Sequence, residues 1–137
     1  MITIAIADDN AVIRDGLGQS LADEADLDVV GVVENGLEAV ALVLREAPDV
    51  VLMDVSMPVM DGLAATREIA LRRPRTRVVV LTLHGQPSVV DEAFAAGASG
   101  FLLKTESPER IAAAVRAVHE GTPQVSAQIG VVPRADS

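Results

Sequence analysis

Five short runs of this chain are apolar almost throughout: residues 2–7, 29–33, 50–53, 78–81 and 100–103. Each is followed by a longer stretch in which apolar residues recur every three or four positions. The short runs predict strands and the longer stretches predict helices. Helices are expected over about residues 10–24, 36–47, 62–72 and 88–96, and from Pro108 to near Gly121. The punctuation agrees. Asn10 suits an N-cap, Pro48 and Pro74 stop the helices before them, Gly97 suits a helix C-terminus, and Pro108 suits a first turn. Strand and helix alternate five times, the pattern of an α/β domain with a parallel sheet. The first, third and fourth strands show no polar alternation, so helices should cover both faces of the sheet. Ligands of such sheets bind beyond the carboxyl ends of the strands, where the strand order reverses. Chemistry is therefore expected just after the first, third, fourth and fifth strands. Residues 122–137 carry no periodicity and read as a linker or tail.

Composition narrows the function. A length of 137 residues suits one domain with one core. Cysteine is absent, which removes disulfides, thiolate zinc sites and cysteine nucleophiles. The apolar start is too short for a signal peptide, and no segment approaches the ~20 apolar residues of a membrane span. A soluble, cytoplasmic protein without membrane partners is expected. The net charge of −9 makes nucleic acid a poor direct partner. Phe94 and Phe101 are the only aromatic residues, which argues against base stacking. Lys104 is the only lysine in a chain that otherwise uses arginine.

The expected strand ends carry Asp8 and Asp9, then Asp54, Thr82 and Lys104. One aspartate after a strand is usually a helix cap or loop residue. Three carboxylates converging on one edge repel strongly, and coexist only with a cation or with shifted pKa values. Oxygen ligands suit a hard divalent ion, and Mg²⁺ accepts few protein ligands because it keeps its waters. A carboxylate nucleophile, Mg²⁺, a hydroxyl and an ammonium make a phosphoryl-transfer site, where positioning and charge neutralisation supply most of the catalysis.

Four motifs in register, IAIADDN (Ile4–Asn10), DVVLMDVSMPVMDG (Asp49–Gly62), VVVLT (Val78–Thr82) and GASGFLLK (Gly97–Lys104), give the chain a family likeness. Up to about Gly121 it resembles the receiver domain of two-component response regulators. The last motif and the helix after it look most like regulators with a LuxR-type (NarL/FixJ-like) helix-turn-helix output domain. The resemblance implies a flavodoxin-like, doubly wound (βα)5 fold with a five-stranded parallel sheet in the order 2-1-3-4-5. It implies a receiver domain over 1–121; nothing after Gly121 resembles a helix-turn-helix, so the chain is either a stand-alone receiver or is cut before an output domain outside it. Asp54 would accept a phosphoryl group from a sensor histidine kinase, and the chain would catalyse its own phosphorylation and dephosphorylation without being a conventional enzyme. Asp9 would bind Mg²⁺ directly, Asp8 mostly through water, and the Ser56 main-chain carbonyl would join Asp54 as a further ligand. Thr82 and Lys104 would contact the phosphoryl oxygens, and the Phe101 ring would turn inward as Thr82 moves. Pro58 and Gly62 would shape the loop after the third strand, Gly62 through backbone angles other residues avoid. The modified protein would form a homodimer, for which Ala93, Ala96, Ala112, Val115 and Val118 offer apolar surface unless they pack on the sheet. It would reach DNA only through the output domain.

The chain also departs from the family pattern. Thr105 follows Lys104 where a cis-proline is common, which leaves the geometry of that peptide open. Leu83 stands where many members carry a small residue, so it is expected to crowd access to Asp54. Ser56, Leu83 and His84 are the candidates for tuning phosphoryl lifetime. Two rivals remain. A phosphohydrolase of the haloacid-dehalogenase type wants an aspartate where Ser56 stands. A degenerate receiver that signals without phosphorylation usually lacks an acidic residue or the lysine, and this chain keeps all of them.

Overall fold

The structure, a computed structural model, describes residues 1–126. Of the tail expected over 122–137, residues 127–137 lie outside the described residues. In chain order the elements are β1 (Ile2–Ala7), α1 (Ala11–Ala22), β2 (Leu27–Val33), α2 (Gly36–Glu46), β3 (Val50–Asp54) and α3 (Gly62–Arg72). They continue as β4 (Arg77–Thr82), α4 (Pro87–Ala95), β5 (Gly100–Leu103), α5 (Pro108–His119) and β6 (Gln124–Val125). All neighbouring strands pair in parallel, in the order β2-β1-β3-β4-β5-β6. The order reverses between β1 and β3, as the doubly wound reading requires. The core sheet is five-stranded, in the order 2-1-3-4-5, with the two-residue β6 added at its edge.

Helix ends follow local chemistry. Asn10 caps α1 by accepting from the Val12 and Ile13 N–H groups, and Asp61 caps α3 by accepting from Ala64 N–H. Gly97 takes the left-handed conformation just past α4, with φ 109°. One apolar layer joins α2, α3 and α4 to one face of the sheet, around Val51, Met53, Val80 and Phe101. A second joins α1 and α5 to the other face, around Ile4, Leu52, Leu102 and Val115. Ala93, Ala96, Ala112, Val115 and Val118 are all buried in these layers or beside them. Their apolar character therefore serves packing on the sheet, and they offer no surface to a second copy.

One segment differs from its reading. Residues 122–137 read as a linker, yet Gln124 and Val125 pair with Gly100 and Phe101. Two residues are too few for a period. Their strand state comes from the free edge of β5, which receives N–H groups from Gln124 at Ser99 O (3.2 Å) and from Ser126 at Phe101 O (3.1 Å).

Candidate functional site

The parallel registers bring the strand ends level. Ala7 lies beside Met53, Asp54 beside Leu81, and Thr82 beside Leu103. With adjacent strands only about 4.8 Å apart, the residues that follow meet above one edge of the sheet. Asp8, Asp9 and Asp54 each bring a carboxylate oxygen within 4.8 Å of the others. Asp8 and Asp54 are buried, at 2% and 5% exposure, and Asp9 is exposed. The Lys104 ammonium stands between the two buried acids, with Nζ 2.7 Å from Asp8 Oδ2 and 3.1 Å from Asp54 Oδ1.

Hydrogen bonding of these acids is incomplete. Asp8 Oδ1 accepts from the Asn10 N–H at 2.9 Å, while Asp54 Oδ1, besides Lys104, receives a long contact from the Ser56 N–H at 3.4 Å. Among the described residues Asp8 Oδ2 is buried with no directed hydrogen bond, and the close ion contact to Lys104 is its one compensation there. Burial pushes the Asp54 carboxyl up to about 6; the Lys104 hydrogen bond opposes the rise and the Asp8 charge adds to it. Burial alone would lower the Lys104 ammonium, but its contacts with Asp8 and Asp54 outweigh this and raise it. Three carboxylates against one ammonium leave an excess of negative charge, and one buried oxygen lacks a full partner. That donor set fits a hard divalent cation such as Mg²⁺.

The loops show how the site is held open. Gly62 does not adopt a positive φ. A Cβ there would overlap the Asp54 carbonyl oxygen, so space rather than backbone freedom demands the glycine. The strained residue of this loop is Val59, exposed and β-branched at φ 70°. The Lys104–Thr105 peptide is trans, as are all peptides of the described residues.

Ser56 is exposed, and its main-chain N–H is the group seen to approach Asp54. The Thr82 hydroxyl donates to His84 O at 3.1 Å and accepts from His84 N–H at 3.2 Å, so its own loop engages it. Leu83 is 55% exposed and His84 is exposed, so neither side chain is packed into the interior. Phe101 is fully buried, so its ring already lies inward. An inward turn is therefore not a movement this conformation has left to make.

Two residues of the site escaped the sequence reading. Arg14 Nη1 donates to the Asp8 carbonyl at 2.9 Å and lies 3.8 Å from Glu34 Oε2, tying the β1–α1 loop to the β2–α2 loop. Nothing in the periodicity of α1 marks it. Asp61 stands with Asp9, Ser56 and Pro58 around an open cleft of about 610 Å³ beside the carboxylates. Its place before a helix-starting glycine could have marked it as a cap.

Comparison with known proteins agrees with this geometry. The sequence matches the family described as response regulator receiver domain over residues 4–116. It is 39% identical over 133 residues to the transcriptional regulatory protein LnrK of Bacillus subtilis, covering 94% of this chain and 60% of that protein. It is 41% identical over 120 residues to the transcriptional regulatory protein DegU of Brevibacillus brevis, covering 88% of this chain and 51% of that protein. The chain thus spans a little over half the length of these relatives. A crystal structure of a LuxR-family two-component response regulator from Aurantimonas superposes with a TM-score of 0.88 at 30% identity, covering 93% of this chain and 91% of that one.

Proposed function

This chain belongs to the response regulator receiver domain family, and from that premise we propose that it accepts a phosphoryl group on Asp54 from a phosphohistidine of a sensor kinase. One observation carries the reading: the buried Asp54 carboxylate lies within 4.8 Å of two further aspartate carboxylates and is held directly by the only lysine of the chain. In the transfer an Asp54 oxygen attacks phosphorus, the bond from phosphorus to the donor's imidazole nitrogen breaks, and that nitrogen keeps the electron pair. Asp8, Asp9 and Asp54, with the Ser56 carbonyl, would hold Mg²⁺, which neutralises charge on the transferred group. Lys104 supplies a further compact positive charge to the phosphoryl oxygens. Thr82 would take up one of those oxygens by giving up its bonds to His84. Leu83 and His84, the two exposed residues just past Thr82, would govern the approach of the hydrolytic water.

The names of the relatives support a wider role in transcription control, with DNA reached through an output domain outside this chain. A cytoplasmic setting and a phosphorylation-dependent homodimer belong to the same proposal. Among the described residues no helix is long and apolar enough to cross a membrane.

Acetyl phosphate with Mg²⁺ tests the central claim. The wild type is expected to gain one phosphoryl mass and Asp54→Asn none, with Asp9→Ala labelled slowly for want of a metal ligand. Equal labelling of wild type and Asp54→Asn would overturn the assignment.

A further inference from the structure

We infer that Ser126, outside the five-stranded core, is a positioning residue that sets the place of Lys104. The inference deepens the proposed phosphoryl-transfer reading, because Lys104 matters through Asp54. Ser126 is 1% exposed, and both capacities of its hydroxyl are used. Its Oγ accepts from the Leu103 N–H at 2.9 Å and donates to Glu106 Oε2 at 2.9 Å. Its own N–H donates to Phe101 O at 3.1 Å, continuing the β5–β6 pairing.

These contacts surround one turn. The Glu106 N–H donates to Leu103 O at 3.1 Å, so Lys104 and Thr105 are the two central residues of a tight turn. Its two flanking residues, Leu103 and Glu106, meet on a single hydroxyl. On the opposite side the Lys104 N–H donates to Thr82 O at 2.7 Å. The backbone of Lys104 is therefore clamped between β4 and the segment after α5. Arg110 completes the clamp, with both terminal guanidinium nitrogens 3.4 Å from Gln124 Oε1 and Nε 3.9 Å from Glu106 Oε2.

The clamp has a physical reason to matter. A lysine side chain is long and flexible, and its ammonium must reach Asp8 and Asp54 at once. Groups that lock the supporting backbone keep such a constellation within a few tenths of an ångström of its working geometry. Removing the hydroxyl takes away the side-chain acceptor of the part-buried Leu103 N–H and leaves Glu106 Oε2 with only its long contact to Arg110, and groups unpaired in this way are costly. Neither Leu103 nor Glu106 hydrogen-bonds to the carboxylates, so Lys104, the next residue along the turn, is what carries the consequence to them.

The test uses the full chain and three readouts: labelling by acetyl phosphate, Mg²⁺ affinity by calorimetry, and the ε-methylene resonance of the single lysine in ¹³C-lysine-labelled protein. Ser126→Ala is expected to slow labelling by about threefold to tenfold, the size expected when one buried hydrogen bond is lost. Mg²⁺ affinity should hold, since the metal ligands are untouched. The lysine resonance should move toward the position of free lysine, and Ser126→Thr, which keeps a hydroxyl, should recover most of both signals. In a Lys104→Ala background Ser126→Ala should add no further slowing, because the two act as one unit. An unmoved lysine resonance, or full additivity with Lys104→Ala, would overturn the inference. Failure of the wild type to label would instead count against Asp54 as phosphoacceptor, while the resonance would still decide the role of Ser126.

Discussion

Asp54 is penalised for its charge in the folded state, and that penalty predicts how stability follows pH. Its folded pKa, about 6, lies above the ordinary 3.8, so the folded chain holds this proton more tightly than the unfolded chain does. The stabilisation that comes from binding the proton is fully present below 3.8 and is lost as pH rises toward about 6. Metal-free Asp54→Asn, which cannot ionise, should therefore unfold at higher urea than the wild type at pH 7.5. The gain should be about 1 kcal/mol, after allowing for solvent screening at the cleft mouth and the lost contact with Lys104. The gap should narrow as pH falls through that window; a constant gap at all pH values would assign it to something other than the carboxylate. At Lys104 the shape of the cation matters as well as its charge. Lys104→Arg puts a broad planar guanidinium where a compact ammonium meets two acids. Both Lys104→Arg and Lys104→Ala should keep Mg²⁺ affinity within a few-fold yet lose the beryllofluoride-induced change in the amide NMR spectrum. Full activation of Lys104→Arg would show that charge alone suffices.

At the scale of elements, the β3–α3 loop combines tight space with strain. Its first turn folds back so closely that a Cβ on Gly62 would strike the Asp54 carbonyl oxygen. Gly62→Ala should therefore move the end of β3 itself. Its cost should be large for one methyl group, about 2 kcal/mol or more by urea unfolding, with slower labelling of Asp54. Val59 stores strain in the same loop, and that strain can be released. Because it is exposed, Val59→Asn loses no core contact, and asparagine tolerates the left-handed conformation that valine resists. This change should raise stability by about 1 kcal/mol. A fall in stability would mean that the loop does not hold φ 70° in solution.

For the molecule as a whole, metal and fold are coupled. Mg²⁺ that binds only the folded chain stabilises it by mass action, about 1.4 kcal/mol at tenfold excess over Kd. That should raise Tm by roughly 5 °C for a domain of this size. Asp9→Ala should abolish most of the rise, and an undiminished rise would place the ion elsewhere. Residue order alone was enough for the α/β class, the five-strand core, the helix caps at Asn10 and Gly97, and the sheet end that carries Asp8, Asp9, Asp54, Thr82 and Lys104. These follow from local period and from the rule that parallel strands end together, both of which are written along the chain. Other features were decided only in three dimensions. Gly62 is required by a carbonyl eight residues back, Arg14 acts through a loop backbone, and Ala93, Val115 and their neighbours are covered by the sheet. Gln124, Val125 and Ser126 gain their structure from the open edge of β5 and from the turn that holds Lys104. No stretch so short can announce a strand, because its pairing energy belongs to residues more than twenty positions away.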